Sequence, residues 1–190
     1  ISKYVPELGT LKVLTYDAAG KVVMKGGKPV LADPKSAPTM RQLMSHTAGF
    51  GYGLADEHPV DKLYREKGVL SAPNLQEMIN RTATIPLMFQ PGSVGDYSRA
   101  TDVLGRLIEV WSGMGLGEFL RRHVLEPLGM HDTGFFVPPA KYSRIAQPFA
   151  QDPEGAALAP MFDVCEPPLL ESGGGGLVGT AMDYARFLQM

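Results

Sequence analysis

The chain holds one cysteine, Cys165, among its 190 residues, so no disulfide can form within it. No sign of charge dominates: 18 Lys and Arg stand against 20 Asp and Glu, for a formal net charge of −2. That balance leaves no electrostatic footprint for nucleic acid or an anionic membrane. No apolar run reaches the length of a membrane span; the best candidate, Val103 to Trp111, is broken by Arg106 and Glu109. The four histidines, His46, His58, His123 and His131, show no His-Glu-x-x-His spacing. His123 and Glu126 share a helix face without a second such pair, so no metal site is indicated. Gly173 to Gly176 is not followed by Lys-Ser/Thr, which excludes a phosphate-binding loop, and no cofactor is implied. Gly-x-Ser-x-Gly is absent as well, which argues against an α/β-hydrolase. Cys165 lies among Val164, Pro167 and Pro168 with no basic neighbour to favour its thiolate, and reads as structural.

What is present is ordinary globular material: 44% hydrophobic and 20% charged residues, in a length suited to one domain. The chain opens on Ile1 and closes inside a helical pattern at Met190, so it reads as a single domain, 1–190, incomplete at both ends. Lys12 to Tyr16 and Lys21 to Met24 are β-rich runs around Asp17-Ala18-Ala19-Gly20, a hairpin signal. Thr39 and Gln42 form a capping box for a short helix with Met40, Leu43 and Met44 as its stripe and Gly49 as its end. Asn74 and Glu77 repeat the box for a helix through about Ala83. Ser98 opens the strongest helix, with Val103, Leu104, Leu107, Ile108 and Trp111 on one face. A helix over Leu116 to Val124 follows. Pro138 to Leu170 is irregular, with one or two short strands, and Thr180 with Asp183 caps a last helix whose Met182, Ala185, Phe187 and Leu188 supply apolar contacts. There is no βαβ alternation, so a doubly wound sheet is not expected. His46, at a helix C-terminus, is placed to bond the final carbonyls.

Pro91-Gly92-Ser93-Val94-Gly95-Asp96-Tyr97-Ser98 puts a tyrosine hydroxyl on a sparsely substituted turn at the mouth of that strongest helix. Such a phenol serves as a general base where a neighbouring cation lowers its pKa; otherwise it is a packed aromatic ring. Four segments in order resemble the class C β-lactamase superfamily, the serine hydrolases that include β-lactamase-like carboxylesterases and penicillin-binding proteins. Thr39 to Gly49, ending Ser-His-Thr-Ala-Gly, resembles its LLTHTSGL helix and loop, and Phe89 to Ser98 its PGxxxxYS turn. The segment from Asp102-Val-Leu-Gly to Leu128-Gly-Met130 resembles the stretch that ends PLGM. Gly174 to Phe187 resembles the GGLxSTAxDxARF run, and Ser2-Lys-Tyr-Val-Pro-Glu-Leu8 the opening of the same region.

The resemblance implies an α+β, β-lactamase/transpeptidase-like fold: an antiparallel sheet flanked by helices, with residues 38–135 as a mostly helical lobe. It implies a serine hydrolase working through an acyl-enzyme, with Tyr97 as catalytic base and a small-molecule ester or amide as substrate. No serine stands three residues before any of the nine lysines, so the superfamily's Ser-x-x-Lys nucleophile motif is not in this stretch and would precede Ile1. Its late Lys-Thr-Gly or His-x-Gly strand would lie beyond Met190. Where β-lactamases usually carry Asn two residues after the tyrosine, this chain has Arg99, a departure that favours a carboxylesterase. Arg99 and the bare backbone of Gly174, Gly175 and Gly176 are the expected pocket residues, the glycines reading equally as a turn before the Thr180 cap. A β-lactamase, a D-amino-acid peptidase or an acyltransferase would use the same machinery. A non-catalytic relative that keeps the cleft is the alternative from another class.

Overall fold

The computed structural model describes residues 1–54, 58–146 and 163–190. They form two compact units. The first comprises Ile1–Leu116 with Ser172–Gly174, and the second Gly117–Glu171 with Gly175–Met190.

In the first unit, strand β1 (Val13–Leu14) is the buried centre of a small sheet region. It pairs antiparallel with β4 (Leu31–Ala32), and Val13 bridges Leu87 on its other edge. The expected hairpin is present: Tyr16 bridges Val22, and Asp17 Oδ1 closes the turn by accepting the N–H groups of Ala19 and Lys21, each at 2.9 Å. A second hairpin, β2 (Met24–Lys25) with β3 (Lys28–Pro29), turns at Gly26-Gly27, both in the left-handed region. Its strands are exposed and carry no alternating pattern, so no strand periodicity in the sequence marks it.

Helix α1 (Met40–Met44) begins on the full capping box of Thr39 and Gln42. It ends earlier than expected. His46, three residues before Gly49, already takes a left-handed turn at φ 53°, and Met44 is exposed while Leu43 alone of the stripe is buried. Helix α2 (Pro59–Glu66) was not anticipated, since its start is marked only by His58 and Pro59. Helix α3 (Leu75–Thr82) buries Leu75, Met78, Ile79 and Thr82, the i, i+3, i+4, i+7 face of an amphipathic helix. Helix α4 (Ala100–Ser112) starts after Arg99 rather than at Ser98, and packs on α1 and α3 with Val103 and Leu107 innermost. Trp111, expected in the core, is half exposed and sets its ring edge-on against Tyr4. Gly105 is the close-contact point of α4: a Cβ there would lie 3.3 Å from the Gly173 Cα and 3.0 Å from Leu116.

The second unit takes up helix α5 (Leu116–Leu120) from Gly117 onward, and a π-turn at Arg121–Leu125 extends it. Gly129, in the left-handed region, ends the segment, and Gly134 bridges Val178 antiparallel. Of the irregular Pro138–Leu170 stretch, Pro139–Arg144 is a 3-10 turn, and none of the expected strands is among its described residues, 147–162 lying outside them. Helix α6 (Ala181–Leu188) carries the predicted Thr180 cap, but Met182, Ala185, Phe187 and Leu188 are exposed. Its hold is polar. Buried Asp183 accepts the Asp132 N–H at 2.8 Å, the Thr133 hydroxyl at 3.0 Å and Arg186 at 2.6 Å. No helix among the described residues is long and apolar enough to cross a membrane. The architecture is α+β, with short antiparallel strands and a helical majority.

Candidate active site

The turn that carries Tyr97 is held against the loop after α1 by a run of backbone bonds. Met88 N–H donates to Gly49 O at 2.7 Å, Gly92 N–H to Thr47 O at 2.7 Å, Asp96 N–H to His46 O at 2.9 Å and Arg99 N–H to Gly51 O at 3.1 Å. Glycine is required where the two segments come closest. At Gly49, with φ +87°, a Cβ would sit 2.2 Å from the Phe89 carbonyl oxygen, and at Gly92, with φ +86°, 2.8 Å from Gln42 Nε2.

On this frame Tyr97 is 61% exposed and stands between two rings: the His46 imidazole at 4.8 Å and the Tyr52 phenol, stacked at 5.0 Å. His46 does not bond helix carbonyls as its position in the sequence suggested. Its Nδ1 accepts the Ser98 N–H at 3.2 Å, which in the neutral ring leaves the proton on Nε2. The left-handed backbone at His46 turns the imidazole away from α1 and onto the 96–98 turn.

Arg99 lies against the Tyr52 ring. Expected to line a pocket, it is 6% exposed, and its guanidinium lies 4.0 Å from the centre of the Tyr52 ring. Its Nε donates to Tyr52 O at 2.9 Å and its Nη1 is 3.5 Å from Asp102 Oδ2. The cation therefore supports Tyr52 from within, through cation–π attraction and a hydrogen bond. Burial pushes the Tyr52 hydroxyl above the ordinary tyrosine range; the Arg99 charge opposes this, while Tyr97 and Asp102 add to the rise.

The glycine run divides. Gly174 donates to Asp102 Oδ1 at 3.3 Å and to Ser172 Oγ at 3.1 Å, and a Cβ on it would lie 2.8 Å from Thr101 Oγ1. Its missing side chain serves a close approach to the first turn of α4. Gly175, in the second unit, has open space where a Cβ would be, and Gly176 sits at φ +93° beside Phe135. Among the described residues, no group of three or more His, Cys, Asp or Glu is placed to hold a metal ion.

Four residues of this neighbourhood were not singled out as site residues from sequence: His46, Tyr52, Asp102 and Ser172. His46 and Asp102 do fall inside the segments that carry the family resemblance. Asp102 otherwise looks like a routine acidic residue in a helix first turn, where the dipole favours one. Nothing local marks Tyr52 or Ser172.

A family model described as Beta-lactamase matches residues 1–190. Protein Rv1367c of Mycobacterium tuberculosis is 33% identical over the whole chain and 46% of its own length. Esterase EstB of Burkholderia gladioli is 35% identical over 85% of this chain and 46% of its own. Among solved structures, EstCE1, titled a hydrolase with promiscuous acyltransferase activity, superposes with a TM-score of 0.71 at 25% identity, over 99% of this chain and 50% of its own. The chain thus spans about half the length of the relatives it matches. With a family model matched from first residue to last, and relatives above 30% identity over most of its length, the chain belongs to the β-lactamase family.

Proposed function

We propose that the complete protein is a serine hydrolase that cleaves small-molecule carboxylic esters through an acyl-enzyme, with Tyr97 as its proton shuttle. The observation that carries this is the Tyr97 phenol itself: exposed, yet held between His46 and Tyr52 on a turn tied down at both ends. A proton-transfer group needs access to the reacting atoms and a fixed direction, and the exposure of Tyr97 together with its contacts to His46 and Tyr52 supports this reading. The nucleophilic serine lies outside these 190 residues. Its oxygen attacks the ester carbonyl carbon as its proton passes to the Tyr97 oxygen, which enters the step as phenolate, its own proton taken by the lysine of the Ser-x-x-Lys motif expected before Ile1. The tetrahedral species collapses, the alkoxide leaves, and Tyr97 returns the proton to it. Water then repeats the sequence and releases the acid.

In the full-length protein, Tyr97→Phe keeps the ring and its stacking and removes only the hydroxyl. It is expected to lower kcat/KM for a short-chain aryl ester by about 10²- to 10⁴-fold with the thermal melt unchanged. A variant that turns over near the normal rate would remove Tyr97 from the mechanism. Full-length protein that turns over no ester at all would favour the non-catalytic relative. The likeness to EstCE1 supports a second reading, acyl transfer to an alcohol in place of water. The ratio of new ester to free acid, measured with a short alcohol added, separates the two.

A further inference from the structure

Asp102 is 1% exposed at the first turn of α4, a costly place for a carboxylate unless it is fully answered. Its Oδ1 accepts from the Ser172 hydroxyl and from the Gly174 N–H. Its Oδ2 accepts no hydrogen bond among the described residues and is met only by charge, from the Arg99 Nη1 3.5 Å away. The same guanidinium spends its Nε on the Tyr52 carbonyl and its face on the Tyr52 ring, and Tyr52 is stacked on Tyr97. A line of contacts therefore runs from a buried carboxylate to the exposed phenol, and each contact in it is directional or charged. Ordinary core packing does not need it: Val103 and Leu107 already anchor α4.

We propose that Asp102 is a positioning residue for the hydrolase, holding Arg99 so that Tyr52 fixes the plane and reach of Tyr97, and seating the Ser172–Gly174 segment on the same helix turn. Without the carboxylate, Arg99 loses the ion pair it makes among the described residues and is free to leave the Tyr52 ring. Tyr97 then keeps its hydroxyl but loses the surface that orients it. The inference rests on the proposed role of Tyr97, and its test is built to fail separately from that role.

The experiment is a double-mutant cycle in the full-length protein, read as kcat and KM for a short-chain aryl ester. Asp102→Asn keeps an oxygen for Ser172 and Gly174 and removes the charge. It should lower kcat by about tenfold, the scale of coupling within one polar network, with KM within about twofold. In a Tyr97→Phe background the same substitution should change kcat by less than about twofold, because the group it positions is gone. A tenfold loss that persists in that background would make Asp102 merely structural, and normal turnover by Asp102→Asn alone would also overturn the inference. Arg99→Lys retains the cation, loses the planar fork, and should give the same pattern; it decides the question if Asp102→Asn fails to fold. Full activity of Tyr97→Phe by itself would refute the shuttle, an outcome read before either positioning variant is considered.

Discussion

Gly49→Ala tests the frame beneath the site. At φ +87° an alanine pays about 1 kcal/mol for the left-handed backbone alone. The larger cost is contact: the new Cβ would sit 2.2 Å from the Phe89 carbonyl oxygen, and the gap must open to 3.0 Å or more. Because the clashing atom is backbone, no rotamer change relieves it. The 87–92 segment has to move away from the loop after α1. That movement breaks the Met88 N–H to Gly49 O bond and strains the Gly92 N–H to Thr47 O bond, both 2.7 Å, at about 1 kcal/mol each. The sum is about 3 kcal/mol. Gly20→Ala is the control, since its φ of +75° is similar and nothing lies within 4 Å of the added carbon. It should cost only the backbone share, about 1 kcal/mol. The assay is the denaturant midpoint of each full-length variant at unchanged slope. Equal losses from the two substitutions would refute the close approach, and with it the account of how the Tyr97 turn is held.

Two further outcomes concern the second unit. Asp183→Ala removes the acceptor for Asp132 N–H, the Thr133 hydroxyl and Arg186 at a site 2% exposed, and should destabilise by about 2–4 kcal/mol in the same denaturation assay; a loss below about 1 kcal/mol would show that α6 is held by something else. Arg144 and Lys141 hold the Asp132 carboxyl well below the usual carboxylate range, so its contribution to stability is full above an unfolded pKa of about 3.9 and fades only as pH falls below that. Side-chain NMR titration should show Arg144→Ala moving the Asp132 midpoint up toward that ordinary value, and an unmoved midpoint would exclude the pairing as the cause.

Local chemistry was legible in the sequence wherever one short stretch sufficed. The Thr39–Gln42 box, the Asn74 and Thr180 caps and the Asp17–Gly20 hairpin all follow from side chains that bond backbone within a few residues; these are present, although the Glu77 carboxylate goes to Asn80 and Arg81 and does not complete the box expected at Asn74. The order of motifs was enough to identify the superfamily and to single out Tyr97. What the sequence could not decide was anything set by partners far along the chain. Periodicity marked Trp111, Met44 and the α6 stripe as apolar, yet the surface each helix meets in these units leaves them exposed. Arg99 reads as a pocket residue because it stands two positions after Tyr97, where the resemblance places a substrate-contacting Asn. Only the tertiary structure brings Tyr52, 47 residues earlier in the chain, to its Nε, and Ser172, 70 residues after Asp102, to the carboxylate that faces its Nη1. Capping and turn bonds close over three or four residues and are written locally; burial and charge pairing depend on which distant segments the fold sets side by side.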